Sequence, residues 1–141
     1  MLYRGCRLWG GGGDDNHNDY DIDSLYCDSF GCFTVVKARD RSQKSIIEAL
    51  KSGSFYTSTG PEIYDFYVDE ENEIAVLECS PAAKIRLHTD GHPTSIKRDA
   101  DGNLTRAEFS IKSWCGKRRY VRMTVIDKDG RFAWTNPIFL D

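Results

Sequence analysis

The chain has 141 residues, a length that supports one domain with its own core and not comfortably two. With 40% hydrophobic and 29% charged residues it has an ordinary globular composition, which excludes disordered and fibrous classes. A formal net charge of −3 gives no electrostatic footprint for nucleic acid or an anionic membrane, so neither is expected as a partner.

The opening "MLYRGCRLWG" lacks the apolar run of a signal peptide, and no stretch approaches the roughly 18 apolar residues that span a bilayer. Without an export signal the expected compartment is the cytoplasm. The five cysteines, odd in number and without C-x-x-C spacing, then read as isolated buried thiols. Tyr3 to Trp9 fits a short strand. Gly10 to Asp28 is glycine, aspartate and asparagine with a few aromatics, a long polar loop of the kind that is usually functional or disordered.

"GCFTVVKA" (Gly31 to Ala38) is β-branched and aromatic and predicts a strand. The period then changes. Ile46, Ile47 and Leu50 fall at helical spacing beside Ala49, Asp40 or Ser42 can cap the start, and Gly53 can end the helix. This predicts a short amphipathic helix with one face to bury. "FYTSTGPEI" (Phe55 to Ile63) follows, with Gly60-Pro61 as a turn.

Seven short strand candidates then recur at near-regular spacing: 63–68, 74–79, 84–88, 94–98, 104–111, 120–127 and 132–139. The turn signals between them are "DEENE", "SPAA", "TDGHP", "DADGN", "WCGKR" and "DKDGR", with Asp-Gly steps of the kind favoured by tight hairpins. The expected fold is mainly β: an antiparallel β-sandwich of about seven strands over residues 61–141, preceded over residues 1–60 by a strand-loop-strand-helix segment. That front segment cannot bury its faces alone and looks like the end of something larger. Lys117-Arg118-Arg119 is too short for a basic interaction tract and reads as a solvated turn.

The candidate chemistry sits in "GGDDNH". Asp14, Asp15 and His17 offer hard carboxylates and an imidazole that can point at one ion if the backbone turns sharply, and the glycines ahead of them permit that turn. The competing reading is a solvated loop, since aspartate and asparagine also bond their own backbone in turns. The four glycines are neither a Walker A loop nor a dinucleotide fingerprint. His88 and His92 flank a predicted hairpin, where a surface pair is the simpler reading. Ser58 and Thr59 in "STG" offer a nucleophile or phosphate donors, set against a plain hydrogen-bonding role in a turn. Of Tyr64, Phe66, Trp114 and Trp134, candidate contacts for a ligand, most are expected in the core.

"GGDDNHND" followed by "FGCFTVVKA", "SIIEALKSG" and "FYTSTGPEI" resembles the C-terminal end of the polymerase-and-histidinol-phosphatase (PHP) superfamily. "AWTNPIFLD" resembles the end of the β-sandwich that follows the PHP domain in many bacterial members. The resemblance implies a distorted β/α barrel carrying divalent zinc, manganese or iron, with metal-bound hydroxide attacking a phosphoester of a phosphorylated small molecule. Asp15 and His17 match the last metal motif, Asp-x-His; Asp14 is adjacent, and it stands with Ser58 and Thr59 as a secondary site. The first His-x-His motif and the middle ligands have no counterpart here. The implied function is therefore a C-terminal fragment of a metal-dependent phosphoesterase, inactive by itself. Its shell would be completed by a missing barrel part in another chain, or its front segment would associate with a second copy. The alternative is a non-catalytic β-sandwich binding or interaction module.

Overall fold

Alternating apolar residues in short β-branched runs, punctuated by Asp-Gly turns, leave the chain little choice but antiparallel pairing. The structure, a computed structural model, describes residues 2–90, 94–113 and 119–140. It is mainly β. In chain order it holds β1 (Phe33–Val36), α1 (Gln43–Ser52), β2 (Phe55–Ser58), β3 (Ile63–Asp69), β4 (Ile74–Ala82), β5 (Lys84–Thr89), β6 (Ser95–Arg98), β7 (Leu104–Ser110), β8 (Tyr120–Ile126), β9 (Phe132–Thr135) and β10 (Ile138–Phe139). A seven-stranded sheet runs β1-β2-β9-β8-β5-β6, with β10 continuing alongside β8, and a three-stranded sheet runs β3-β4-β7.

Inward side chains of the two sheets interdigitate as a sandwich. Ala75, Leu77 and Cys79 of β4 and Ala107 and Phe109 of β7 meet Ile85 and Leu87 of β5 and Val121, Met123 and Val125 of β8. Burial pushes the Cys79 thiol up to about 11. β1 and β2, from the stretch ahead of residue 61, are strands of the large sheet. Val35 pairs with Tyr56, and Tyr56 pairs in turn with Thr135 of β9.

The predicted strands from residue 63 onward fall where expected, with differences that have physical causes. "SPAA" is no turn: β4 runs through it to Ala82, and the register shifts between Glu78 and Ala82, where exposed Pro81 gives up its place in the ladder. "DADGN" closes no hairpin, because β6 pairs with β5 while β7 pairs with β4, so this turn crosses between the sheets. "DKDGR" does close a hairpin, between β8 and β9. The last candidate strand breaks at Asn136-Pro137 into β9 and β10. Tyr3 to Trp9 is not a strand but begins with a 3₁₀ turn over Leu2–Arg4.

The helix forms as its caps dictate. The Ser42 side chain accepts from Ser45 N–H at 3.2 Å, the Asp40 carboxylate accepts from Ser42 N–H at 2.8 Å, and Gly53 ends the helix at φ 76°. Its apolar face is not buried. Ile46, Ile47 and Leu50 remain 37%, 41% and 39% exposed, and Ala49 alone of the helix is buried, because α1 lies beside β1 at the sheet edge rather than across a face. Cys6, Cys27, Cys32 and Cys79 are all free thiols, but only Cys79 is buried and Cys6 is exposed. His92, Trp114, Cys115, Lys117 and Arg118 lie outside the described residues.

Candidate functional site

The glycine run settles against the large sheet. Thr34 of β1 and Thr57 of β2 are register partners and share its outer face. Gly12 N–H donates to Thr34 Oγ1 at 3.1 Å, Thr34 Oγ1 donates to Gly12 C=O at 2.8 Å, and Thr57 Oγ1 reaches Gly10 C=O at 3.4 Å. A Cβ on Gly12 would stand 2.2 Å from Thr57 Cγ2 and 2.9 Å from Cys32 Sγ. Gly12 is thus required by close approach to the sheet, not by a sharp turn toward an ion. The left-handed backbone lies further on, at Asp15 (φ 57°), Asn18 (φ 56°) and Phe30 (φ 63°).

Beyond Gly13 the loop folds back on itself through carboxylates. Asp14 Oδ2 accepts from Phe30 N–H at 2.5 Å, and Asp28 Oδ2 accepts from His17 N–H at 3.0 Å. The same Asp28 oxygen lies 3.9 Å from His17 Nδ1. Asp28 Oδ1 is buried and finds no donor among the described residues. Asp14 and Asp28 each close the loop through one carboxylate oxygen, while Asp15 is exposed and the His17 side chain is 65% exposed. Asp15 and His17 are brought to one loop tip. Among the described residues no three His, Cys, Asp or Glu side chains gather into a group that could hold an ion. A carboxylate and an imidazole are donor types that suit zinc, manganese or iron, but two donors fall short of a closed shell.

Ser58 and Thr59 have another occupation. Ser58 Oγ is buried, donates to Pro61 C=O at 2.6 Å and accepts from Gly60 N–H at 2.9 Å. Thr59 Oγ1 accepts from Phe132 N–H at 2.9 Å and donates back to Phe132 C=O at 3.2 Å. Both hydroxyls lock the turn after β2 onto β9.

The large sheet is wider than the small one, so β1 and β2 overhang the sandwich. The overhang opens a cleft of about 760 Å³ between β2 and β3, with Val35, Tyr56, Ile63 and Phe66 on its apolar walls and Lys37 and Asp65 among its polar lining. Lys37 Nζ lies 2.8 Å from Asp65 Oδ1 and holds that carboxyl below its usual range, while burial raises the Tyr56 hydroxyl above its own. Tyr64 lines the cleft and is exposed, and Phe66 packs against the core, whereas Trp134 stacks on Phe132 at 5.4 Å.

Two groups were not legible as site residues. Asn136, 8% exposed, accepts from Gly10 N–H at 2.8 Å and donates to Gly53 C=O at 3.2 Å and Phe55 C=O at 3.0 Å, tying the glycine run, the helix end and β2 together. Its one sequence signal is the Asn-Pro step that breaks β9 from β10. The second is Arg86 on β5 and Arg122 on β8, which flank the already noted His88, whose Nε2 lies 3.1 Å from Thr124 Oγ1. No protein-family model, curated protein or solved structure matches the chain.

Proposed function

We propose that this chain is the C-terminal portion of a PHP-type metal-dependent phosphoesterase, contributing Asp15 and His17 to a divalent-metal centre whose other ligands come from outside it. The observation that carries the reading is the carboxylate behind the histidine. Asp28 Oδ2 accepts from the His17 backbone N–H at 3.0 Å and stands 3.9 Å from Nδ1, with the ring left exposed at the loop tip. A carboxylate there fixes the backbone that carries the ring, and on closing to hydrogen-bond distance of Nδ1 it would also orient the ring and raise its basicity. A divalent ion bound there supplies positive charge to a phosphoester of a small molecule. This chain's part is to hold two ligands on a loop closed by Asp14 and Asp28 and anchored by Gly12.

The test is Mn²⁺ titration of the ¹⁵N-labelled chain, paired with an assay for hydrolysis of a generic phosphoester. The expected result is paramagnetic broadening centred on residues 14–17, lost in His17→Ala, with no turnover. Broadening centred elsewhere overturns the ligand assignment. Turnover that disappears in His17→Ala overturns the incomplete shell.

The cleft between β2 and β3 favours a second reading, a non-catalytic β-sandwich binding module. Its mixed apolar and polar lining is what small-molecule sites share. A thermal-shift screen of sugars, nucleotides and phosphates tests it, and the absence of any shift counts against it.

A further inference from the structure

Charge is divided unevenly between the two sheets. The three-stranded sheet carries Asp65, Asp69, Glu78 and Glu108. The seven strands of the large sheet contain no aspartate or glutamate, yet β5, β6 and β8 carry lysines and arginines. An overall charge of −3 conceals this basic face.

Register places the cations together. On the outer face His88 stands directly opposite Arg122, and Arg86 directly opposite Thr124, so the two arginines are diagonal neighbours with His88 and Thr124 completing the quartet. Like charges at this spacing repel unless something negative lies between them. Elsewhere the chain supplies that partner. Arg106 bonds Glu78 and Glu108, and Arg131 bonds Asp127 and Asp129. Arg86 Nε and Arg122 Nε, by contrast, are buried and find no acceptor among the described residues. Buried N–H donors without an acceptor are rare in folded proteins, and charged ones rarer.

We propose that the outer face of the seven-stranded sheet binds a phosphate group between the guanidiniums of Arg86 and Arg122, with Thr124 Oγ1 and His88 beside it. Two guanidinium forks suit a dianion with several acceptor oxygens. A carboxylate carries one negative charge and two oxygens, and would leave one fork unserved. Burial, Arg122 and Arg86 all hold the His88 imidazole below its usual range, so it stands neutral beside the pair and a phosphate would draw it back up. The ligand is either free phosphate or the terminal phosphoryl group of a small molecule.

The experiment uses the full chain in EDTA, which removes any contribution from metal at Asp15 and His17, with ionic strength held constant by chloride. Inorganic phosphate, phenyl phosphate and acetate are titrated while Tm and the arginine Nε–Hε NMR signals are followed. Expected are a rise in Tm with phosphate and movement of the Arg86 and Arg122 Nε–Hε signals. Both should be lost in Arg86→Gln and in Arg122→Gln. The same response to phenyl phosphate assigns the site to a phosphoryl group on a larger molecule, and a response to inorganic phosphate alone assigns it to the free ion. Both results support the site. Equal response to acetate, a Tm rise retained in both variants, or unmoved Nε–Hε signals overturns it. The wild-type spectrum decides the matter even if a variant fails to fold.

Discussion

In the sandwich, Leu77, Ile85, Leu87 and Met123 are fully buried, whereas between Tyr20 and Phe30 Leu25 is fully exposed and Ile22, Tyr26 and Phe30 are 69%, 74% and 72% exposed. The residue types are alike, and the partners differ. The sandwich has a second sheet to receive its inward side chains. The front loop has only the flat outer face of β1 and β2, which it meets with backbone and threonine hydroxyls through Gly10 and Gly12. One region is held by removing apolar area from water. The other is held by directed bonds through Thr34, Asn136, Asp14 and Asp28, each worth about 0.5–1.5 kcal/mol net. The loop tip that carries Asp15 and His17 is anchored without being enclosed.

That contrast predicts unequal costs for the same substitution. Leu77→Ala removes a fully buried side chain shared by both sheets and should cost about 2–5 kcal/mol in urea unfolding. Leu25→Ala, at a fully exposed position, should stay within about 0.5 kcal/mol. Similar losses at the two positions would show that Leu25 has a partner in solution and erase the distinction.

Loosening the attachment of the loop should have the next largest effect. Gly12→Ala places a Cβ against Thr57 and Cys32 and should cost about 1–3 kcal/mol through overpacking. Gly13→Ala, with open space around it, should be nearly neutral in the same unfolding assay. An equally mild effect at both positions would mean that the loop does not rest on Thr57.

The strands were legible because alternation and Asp-Gly steps are local signals, and the helix because Ser42 and Gly53 are local caps. Everything that depended on a distant partner was not. "SPAA" looks like a turn until β7 is known to carry the ladder past Pro81. Ile46, Ile47 and Leu50 mark an amphipathic face, but periodicity cannot say whether anything covers it. The glycines suggested room for an ion, while the reason for Gly12 is a threonine 45 positions away on β2. Asp15 and His17 were legible as a motif, and Asp28, which accepts from the His17 N–H, was not, because it comes from the far side of the loop. Arg86 and Arg122 were invisible for the same reason, since only the β5–β8 register sets them side by side.

The smallest expected effect tests the basic face through pH. His88 is pushed down from its ordinary value of 6.5 by burial first and then by Arg122 on β8 and Arg86 on its own strand, and β6 presents Ile96 opposite Arg86 rather than a charge. Below pH 6.5 the unfolded chain takes up a proton that the folded chain resists, so the unfolded state binds more protons. The stability from a neutral His88 is therefore fully present above 6.5 and is lost as pH falls from there through the lowered folded value. His88→Gln keeps a partner for the Thr124 hydroxyl and carries no titrating group. Unfolding free energies at pH 7.5 and 5.5, compared between wild type and His88→Gln, isolate this residue, because the carboxylates titrate alike in both proteins. The wild type should lose more stability over that interval, and phosphate should reduce the excess loss. Parallel losses in the two proteins would show that His88 stands as free in the folded sheet as in the unfolded chain.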